Sequence, residues 1–426
     1  VVPDPHAGMV ATARLFSGKI KQGQTVHLVS QHKDQRVQQV AVYKGPQRVQ
    51  MDEIPAGNIV AIVGLTDAFS GETICEKDRV IHPFEAIKHI FEPVVTKSIE
   101  PKNPTDLPKL LSFLRQTGRE DPTLEVSINE ETGEYLISGL GELHLDAKIE
   151  RPLHEKGIDI KTSPPIVVYR ETVRGTGPVQ EGVSSNRHNR FFISVEPLEN
   201  GVYQGMIDGK IQEENVKKYI KEISKQLMDC GMSKEEAKNV VDIYNRNVLI
   251  DATKGIQYLH ETIELVIDAF RNVMDKGPLA EEPCSALKVK LVDCKLHEDA
   301  IHRGPSQVLP AVSDAIKSSM TGAKATLLEP VQLIRIDVPD EVMGNAISQV
   351  QNRRGQVIDM QSELGVTAIK AKLPVAEMFG FEAQLKSATG GKGFYSLIDV
   401  VFEKIPEDLK QKTVKQIRQR KGLSVE

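Results

Sequence analysis

Short apolar runs separated by glycines dominate the first part of the chain. The runs are rich in β-branched residues and lie at Val10–Phe16, Thr25–Ser30, Val37–Tyr43 and Ile59–Leu65. Such runs predict short β-strands, and the glycines between them predict tight turns. Strands at this spacing commonly close into a barrel, which removes exposed sheet edges. We therefore expect an N-terminal β-barrel over residues 1–82.

A different pattern follows, in which strand and helix periods alternate. Leu107, Leu110, Leu111 and Leu114 recur at the spacing of one helical face. A strand precedes this helix and two strands follow it. A second helix from Gly141 and a last strand complete the order βαββαβ. This order is typical of the ferredoxin-like fold, which we expect over residues 83–165.

The C-terminal part of the chain repeats the order βαββαβ. Glu329-Pro330-Val331 lies at the start of the first strand of this copy, as Glu92-Pro93-Val94 does in the earlier copy. A repeated small α/β unit predicts two similar domains. The predicted class is multidomain α+β, in which ferredoxin-like domains at 83–165 and 327–403 flank a mixed α/β domain at 166–326. A basic C-terminal helix is expected at 404–426.

Within the mixed domain, the pattern predicts amphipathic helices and strands. Ser233 and Glu236 have the spacing of a capping box at a helix N-terminus. Further helices are expected at Glu213–Leu227, Tyr258–Met274 and Gln307–Ser318, and strands at Phe191–Glu196 and Leu287–Leu296.

Composition excludes several classes of protein. The 426 residues carry a net charge of −5 and are 40% hydrophobic, as in an ordinary globular chain. This balance argues against a surface coated with basic residues for nucleic acid, although local basic loops remain compatible with it. No apolar run approaches the ~18 residues of a membrane span. The N-terminus has no signal-peptide pattern and no initiator Met, so we expect a piece of a longer chain.

No recognisable catalytic motif occurs in the sequence. The phosphate-binding pattern GxxxxGK[ST] is absent, and Gly18-Lys19 lacks the rest of that loop. The four cysteines form no CxxC pair, which disfavours a zinc ribbon or a redox site and fits a reducing cytoplasm. We therefore expect that this chain is not itself an enzyme and holds neither a metal nor a cofactor.

Two polar loops are the candidates for function. In the loop at Leu296–Pro305, His297 and His302 are five residues apart and do not share a helix face, which disfavours a metal site. The simplest interpretation is a pair of solvated loop histidines before a turn at Gly304-Pro305. The loop at Ser184–Arg190 is a polar turn whose arginines could contact phosphates in bidentate fashion.

The loop at Leu296–Pro305 carries a resemblance to a known family. Its segment LHEDAIHRG, Leu296–Gly304, resembles the tip loop of the fourth domain of elongation factor two, a ribosomal translocase related to elongation factor G. Pro305 and Ser306 follow, which is similar to the archaeal form. Ser184–Arg190 resembles a second tip loop of that domain. Ser138–Asp146 resembles a characteristic turn in the third domain of translocases, including elongation factor G. His6–Gly18 resembles the second domain of translational GTPases.

The resemblance implies a set of roles. In this family the histidine directly before Arg-Gly, here His302, is converted to diphthamide by dedicated enzymes. The tip enters the decoding site of the ribosome and contacts the tRNA–mRNA pair and rRNA, with contacts expected from Arg187, His188, Arg190, His297 and Arg303. The family hydrolyses GTP with Mg²⁺ in a domain that would precede Val1. A cytoplasmic monomer with no membrane contact is expected.

Two alternatives remain at this point. A paralogous ribosome-assembly or recycling factor uses the same domains, but such paralogues usually lose the histidine loop. A non-catalytic RNA-binding module is disfavoured by the acidic net charge of −5.

Overall fold

The computed structural model describes residues 1–4, 7–84, 93–121, 123–128, 135–211, 213, 216–363 and 365–424. The chain divides into two compact units, Val1–Val167 and Val168–Glu426. The mixed α+β, multidomain character predicted from the sequence is confirmed.

The N-terminal part of the first unit consists of strands around a main apolar core. The strands are β1 (Val2–Asp4), β2 (Gly8–Arg14), β3 (Lys19–Lys21), β4 (Thr25–Leu28), β5 (Lys33–Arg36), β6 (Gln39–Lys44), β7 (Gln47–Met51), β8 (Glu53–Pro55), β9 (Ile59–Val63) and β10 (Ile74–Glu76). Buried residues of β2, β4, β6 and β9 share the core with Ile20 and Ile54.

The hydrogen bonding between these strands differs from that of the predicted closed barrel. In the described residues the strands form three separate sheets, β1-β2-β9-β6-β7, β10-β4-β5 and β3-β8. The shared core rather than a continuous ladder holds the three sheets together. The reason is local: β3 and β8 are only three residues long and pair with each other alone.

The second part of the first unit has the element order βαββαβ. Its elements are β11 (Val95–Pro101), α1 (Leu107–Glu120), β12 (Glu125–Ile128), β13 (Tyr135–Gly139), α2 (Glu142–Leu145), α3 (Arg151–Glu155), β14 (Ile160–Thr162) and β15 (Ile166–Val167). A π-helical turn, Asp146–Glu150, joins α2 to α3. The antiparallel sheet has the order β12-β13-β11-β14, with β15 also paired to β11. Phe91, Glu92 and the turn at 131–133 lie outside the described residues.

The first part of the second unit contains a sheet between two helical layers. Its elements are β16 (Arg170–Val173), β17 (Gln180–Val183), β18 (Arg190–Pro197), α4 (Asn200–Ile207), α5 (Val216–Asp229), α6 (Lys234–Lys238), β19 (Val240–Tyr244), β20 (Asn247–Asp251), α7 (Leu259–Asp275), β21 (Leu287–Lys295) and α8 (Pro305–Gly322). The sheet order is β17-β18-β21-β20-β19.

Successive side chains of β20 point alternately into the two helical layers that cover the sheet. Leu249 belongs to the core formed with α7 and α8, whereas Val248 and Ile250 belong to the core formed with α4, α5 and α6. Successive side chains of a strand point to opposite faces, so this sheet is covered on both. The N-cap half of the predicted capping box is confirmed, because the Ser233 hydroxyl accepts from the Glu236 N–H at 3.3 Å.

The C-terminal part of the second unit again has the order βαββαβ. Its elements are β22 (Ala325–Pro339), α9 (Met343–Gln351), β23 (Gln356–Glu363), β24 (Val366–Pro374), α10 (Phe381–Ala388), β25 (Phe394–Lys404) and α11 (Glu407–Arg420). In both copies the first strand pairs with the third and the fourth, and the second pairs with the third. In this copy β16 also pairs with β22.

A buried carboxylate joins the two parts of the second unit. Glu171 in β16 is 0% exposed, and its carboxylate accepts hydrogen bonds from the backbone N–H groups of Leu279, Ala280 and Glu282 at 2.7–3.2 Å. Burial raises the pKa of Glu171 to about 7, although the three N–H donors act in the opposite direction. Gly277 is required beside it, since an added Cβ would lie 2.4 Å from the carboxylate.

The last helix, α11, contacts the other side of the loop at residues 279–282. Arg418 donates to the carbonyl of Leu279 at 2.7 Å, and the Lys421 ammonium donates to the carbonyl of Ala280 at 3.1 Å. Glu282 pairs with Arg420 and Lys421 at 3.2 and 2.9 Å. The predicted basic helix is thus present, and its charges anchor the loop at residues 279–282.

Candidate functional site

Strand register brings the two candidate loops to one end of a sheet. β18 and β21 are antiparallel, and Arg190 lies opposite Lys295. The chain enters β18 at Arg190 and leaves β21 at Lys295. The loop at residues 184–189 and the loop at residues 296–304 therefore emerge side by side, although they are more than 100 residues apart in sequence. We call these two loops together the tip.

The second loop is built as a short turn that leads directly into a helix. Asp299 is the N-cap of a 3₁₀ turn, Ala300–Arg303, and its carboxylate accepts from the Ile301 N–H at 3.0 Å. Gly304 is the N-cap of α8, and Pro305 is its first residue. Proline suits this position because the first N–H of a helix has no intrahelical partner. The predicted turn at Gly304-Pro305 is confirmed.

Two asparagines of the first loop hold the backbone of His302. The Asn189 amide donates to the His302 carbonyl at 2.7 Å, and the Asn186 amide donates to the same oxygen at 3.1 Å. The Asn189 side-chain oxygen accepts from the His297 N–H at 3.1 Å. One buried asparagine therefore fixes both histidine-bearing segments of the second loop.

Three imidazole rings meet at the tip. The ring centroids are 4.8 Å apart for His188 and His297, 4.9 Å for His188 and His302, and 4.6 Å for His297 and His302. The His297 Nδ1 accepts from the Asp299 N–H at 3.1 Å. Among the residues that the structure describes, no group of three or more His, Cys, Asp or Glu side chains is arranged to hold a metal ion.

Arg303 is placed differently from the expectation that it contacts RNA. Its side chain is buried, and its guanidinium donates to the Glu261 carboxylate at 2.8 Å, to the Tyr258 carbonyl at 3.3 Å and to the Glu298 carbonyl at 3.4 Å. It also lies over the Tyr258 ring, 4.6 Å from the centroid. These contacts anchor the second loop to the start of α7, so Arg303 supports the tip from within.

The other predicted arginines lie on the surface. Arg187 is exposed at the apex of the first loop and has a left-handed backbone, with φ 60°. Arg190 pairs with Glu181 at 2.8 Å, and both side chains are well exposed. An exposed ion pair of this kind is weak, so Arg190 can exchange its partner at little cost.

Three residues of the tip were not predicted from the sequence. Asn186 and Asn189 were seen only as members of a polar loop, and Ile301 was not singled out. Ile301 is 83% exposed, next to His302. Single exposed apolar side chains are common on protein surfaces, so the exposure of Ile301 by itself assigns no contact.

Comparison with protein families identifies the class of protein. Models of translational elongation factors match four successive stretches: Elongation factor Tu domain 2 at 8–75, Elongation Factor G domain III at 90–164, Elongation factor G domain IV at 209–324 and the Elongation factor G C-terminus at 326–413. The chain belongs to the elongation factor G family.

The relatives place it within the elongation factor 2 branch. The chain is 51% identical to elongation factor 2 of Archaeoglobus fulgidus over 100% of its own length. It is 50% identical to elongation factor 2 of Methanocaldococcus jannaschii and 49% identical to that of Pyrococcus horikoshii. The chain spans 58% of the length of the Archaeoglobus protein. No helix within the described ranges is long and apolar enough to cross a membrane.

Proposed function

We propose that the chain is the part of a ribosomal translocation factor that carries the tip into the decoding site. The alignment of the entire chain with elongation factor 2 at 51% identity is the observation that carries this proposal. Its partners are the rRNA and the tRNA–mRNA pair, and it acts in the cytoplasm as a monomer. GTP and Mg²⁺ bind in a domain outside this chain.

The same proposal assigns domains to the sequence. A β-barrel domain occupies 1–82, ferredoxin-like domains occupy 83–165 and 327–403, the tip domain occupies 166–326, and the C-terminal helix occupies 404–426. The shared strand pairing of the two βαββαβ regions supports the equivalence of the two smaller domains.

The exposed groups of the tip supply the contacts to RNA. Arg187, His188 and Arg190 lie on its surface, and His297 and His302 are half-buried beside His188. Such contacts read phosphate and shape rather than base sequence, as a factor that moves every codon requires. Arg303 takes the role of an internal anchor.

Replacing residues 296–304 of the full-length factor by a glycine-serine linker is expected to lower the translocation rate at least about tenfold. Hydrolysis of GTP on the ribosome is expected to continue, because the linker leaves the nucleotide domain intact. Single-turnover translocation and phosphate release are the measurements. Translocation at the normal rate would contradict the proposed role of the tip.

His302 is the proposed site of diphthamide. The modification attaches an aminocarboxypropyl group to a carbon of the imidazole ring and ends as a trimethylammonium amide, which adds a fixed positive charge beside the phosphates of the codon and anticodon. In protein from the native source, tandem mass spectrometry is expected to find the added mass on His302. Protein from a host without the modifying enzymes serves as the unmodified control. Added mass on His297, or on no residue, would refute the assignment.

A further inference from the structure

The carbonyl oxygen of His302 has two side-chain donors, both from the other loop of the tip. Asn189 and Asn186 donate to it at 2.7 and 3.1 Å. A carbonyl with two side-chain amide donors is held more tightly than a loop carbonyl that faces water, because each donor adds a directional contact. The backbone of His302 is therefore set by the first loop and not only by its own 3₁₀ turn.

The orientation of the Asn189 amide follows from its partners. Its oxygen faces the His297 N–H at 3.1 Å, and this group can only donate. Its nitrogen therefore faces the His302 carbonyl, which can only accept. The side chain is 0% exposed, and the Ser184 hydroxyl lies 3.3 Å from the same nitrogen. This burial shields the Asn189 amide from bulk solvent.

We propose that Asn189, assisted by Asn186, is a positioning residue that presents the His302 ring to the enzymes that modify it. The inference rests on the proposed function, since it concerns how the diphthamide site is recognised. The modifying enzymes would then depend on the folded pair of loops and not on the segment LHEDAIHRG alone. The orientation of the ring relative to His188 and His297 depends on the same carbonyl contact.

Asn189→Asp is the sharpest test. The carboxylate keeps the acceptor for the His297 N–H but replaces the donor to His302 by an oxygen that repels the carbonyl. Asn186→Asp is a second variant in a less buried position. It keeps the acceptor for the Ser184 hydroxyl and the His188 N–H, at 2.6 and 3.0 Å, and loses only the donor to His302.

Asn247→Asp is the matched control. Asn247 is also 0% exposed, its amide donates to the carbonyls of Tyr244, Asn245 and Cys284, and its oxygen accepts from the Leu287 N–H. Leu287 begins β21, whereas the tip follows its end at Lys295. Asn247 contacts the first residue of β21, and Asn189 contacts the segment that follows its last residue. Because a strand rises ~3.3 Å per residue, the two asparagines act at well-separated ends of β21. The control therefore carries a similar cost in stability without touching His302.

The experiment measures two properties of the purified chain. The first is the initial rate at which purified modifying enzymes add the aminocarboxypropyl group to His302, followed by mass spectrometry. The second is the ¹H–¹³C NMR position of the His302 ring, assigned with His302→Gln. We expect Asn189→Asp to lower the rate at least about tenfold and to shift the ring resonance. We expect Asn186→Asp to act in the same direction and Asn247→Asp to stay within about twofold of the parent.

The outcomes separate the inference from the proposed function. Normal rates and unshifted resonances in both Asn189→Asp and Asn186→Asp would overturn the positioning role. An equal loss in Asn247→Asp would overturn it as well, because general destabilisation would then explain the effect. A parent chain that is never modified at His302 would refute the diphthamide site, while the NMR comparison would still decide whether Asn189 sets the ring.

Discussion

Replacing Arg303 by alanine in the full-length factor is expected to slow translocation strongly, through loss of the internal anchor of the tip. The buried guanidinium donates to the Glu261 carboxylate and to the carbonyls of Tyr258 and Glu298. Alanine removes the guanidinium donor from all three acceptors and removes the contact with the Tyr258 ring. Such losses cost on the order of 2–4 kcal/mol, enough to release the loop that carries His302.

Arg335→Ala is the matched control for this prediction. Arg335 in β22 pairs with Asp337 at 2.9 Å, with half of its side chain exposed. Exposed pairs contribute little to stability, so the translocation rate should not change. Arg303→Lys should lie between the two, since an ammonium keeps the charge but not the planar fork.

Single-turnover translocation and hydrogen exchange of residues 296–304 together test the role of Arg303. Slow translocation with faster exchange in the loop is expected for Arg303→Ala only. Equal translocation rates for Arg303→Ala and Arg335→Ala would contradict the anchoring role.

The loop at residues 279–282 is expected to become less stable as pH rises, because of Glu171. Its pKa is raised from 4.5 to about 7 by burial, so the folded state binds the proton more tightly than the unfolded state does. The resulting stabilisation is fully present below about pH 4.5 and is lost as pH rises through about 7. A shift of this size corresponds to about 3 kcal/mol at most. Burial also raises the pKa of Glu282, which adds to the same trend.

Hydrogen exchange of the amides of Leu279, Ala280 and Glu282 measures this effect, after correction for intrinsic exchange rates. The free energy of opening should fall between pH 5 and pH 8 in the parent chain. In Glu171→Gln the dependence should be less than half as steep, with the remainder due to Glu282. A free energy of opening that is constant or rises with pH in the parent chain would refute the role of Glu171.

Local periodicity accounts for what could be predicted of the fold. The leucine spacing was sufficient to predict α1, because Leu110 and Leu114 both lie in the core and are 0% exposed. The strands β19 and β20 were not predicted, because β20 is buried on both faces and therefore shows no alternation of apolar and polar residues. The π-helical turn after α2 was not predicted either, since no residue type specifies it.

Residue types identified the candidate site only in part. His188, His297 and His302 could be named from their loops, but their contact depends on the pairing of β18 with β21, which no local pattern encodes. Arg303 was interpreted as a surface charge because it follows His302 in a polar loop. Its burial depends on Tyr258 and Glu261, which come from a third segment of the chain.

The path of the chain after the tip has a mechanical consequence. The loop passes at Gly304 into α8, whose 18 residues span about 27 Å, and only Ala323 and Lys324 separate this helix from the 15-residue strand β22. Two long hydrogen-bonded elements are thus joined in series by a connection of only two residues. A load applied to His302 is transmitted to the C-terminal sheet with little compliance, so displacement at one end is not absorbed by a flexible link before it reaches the other.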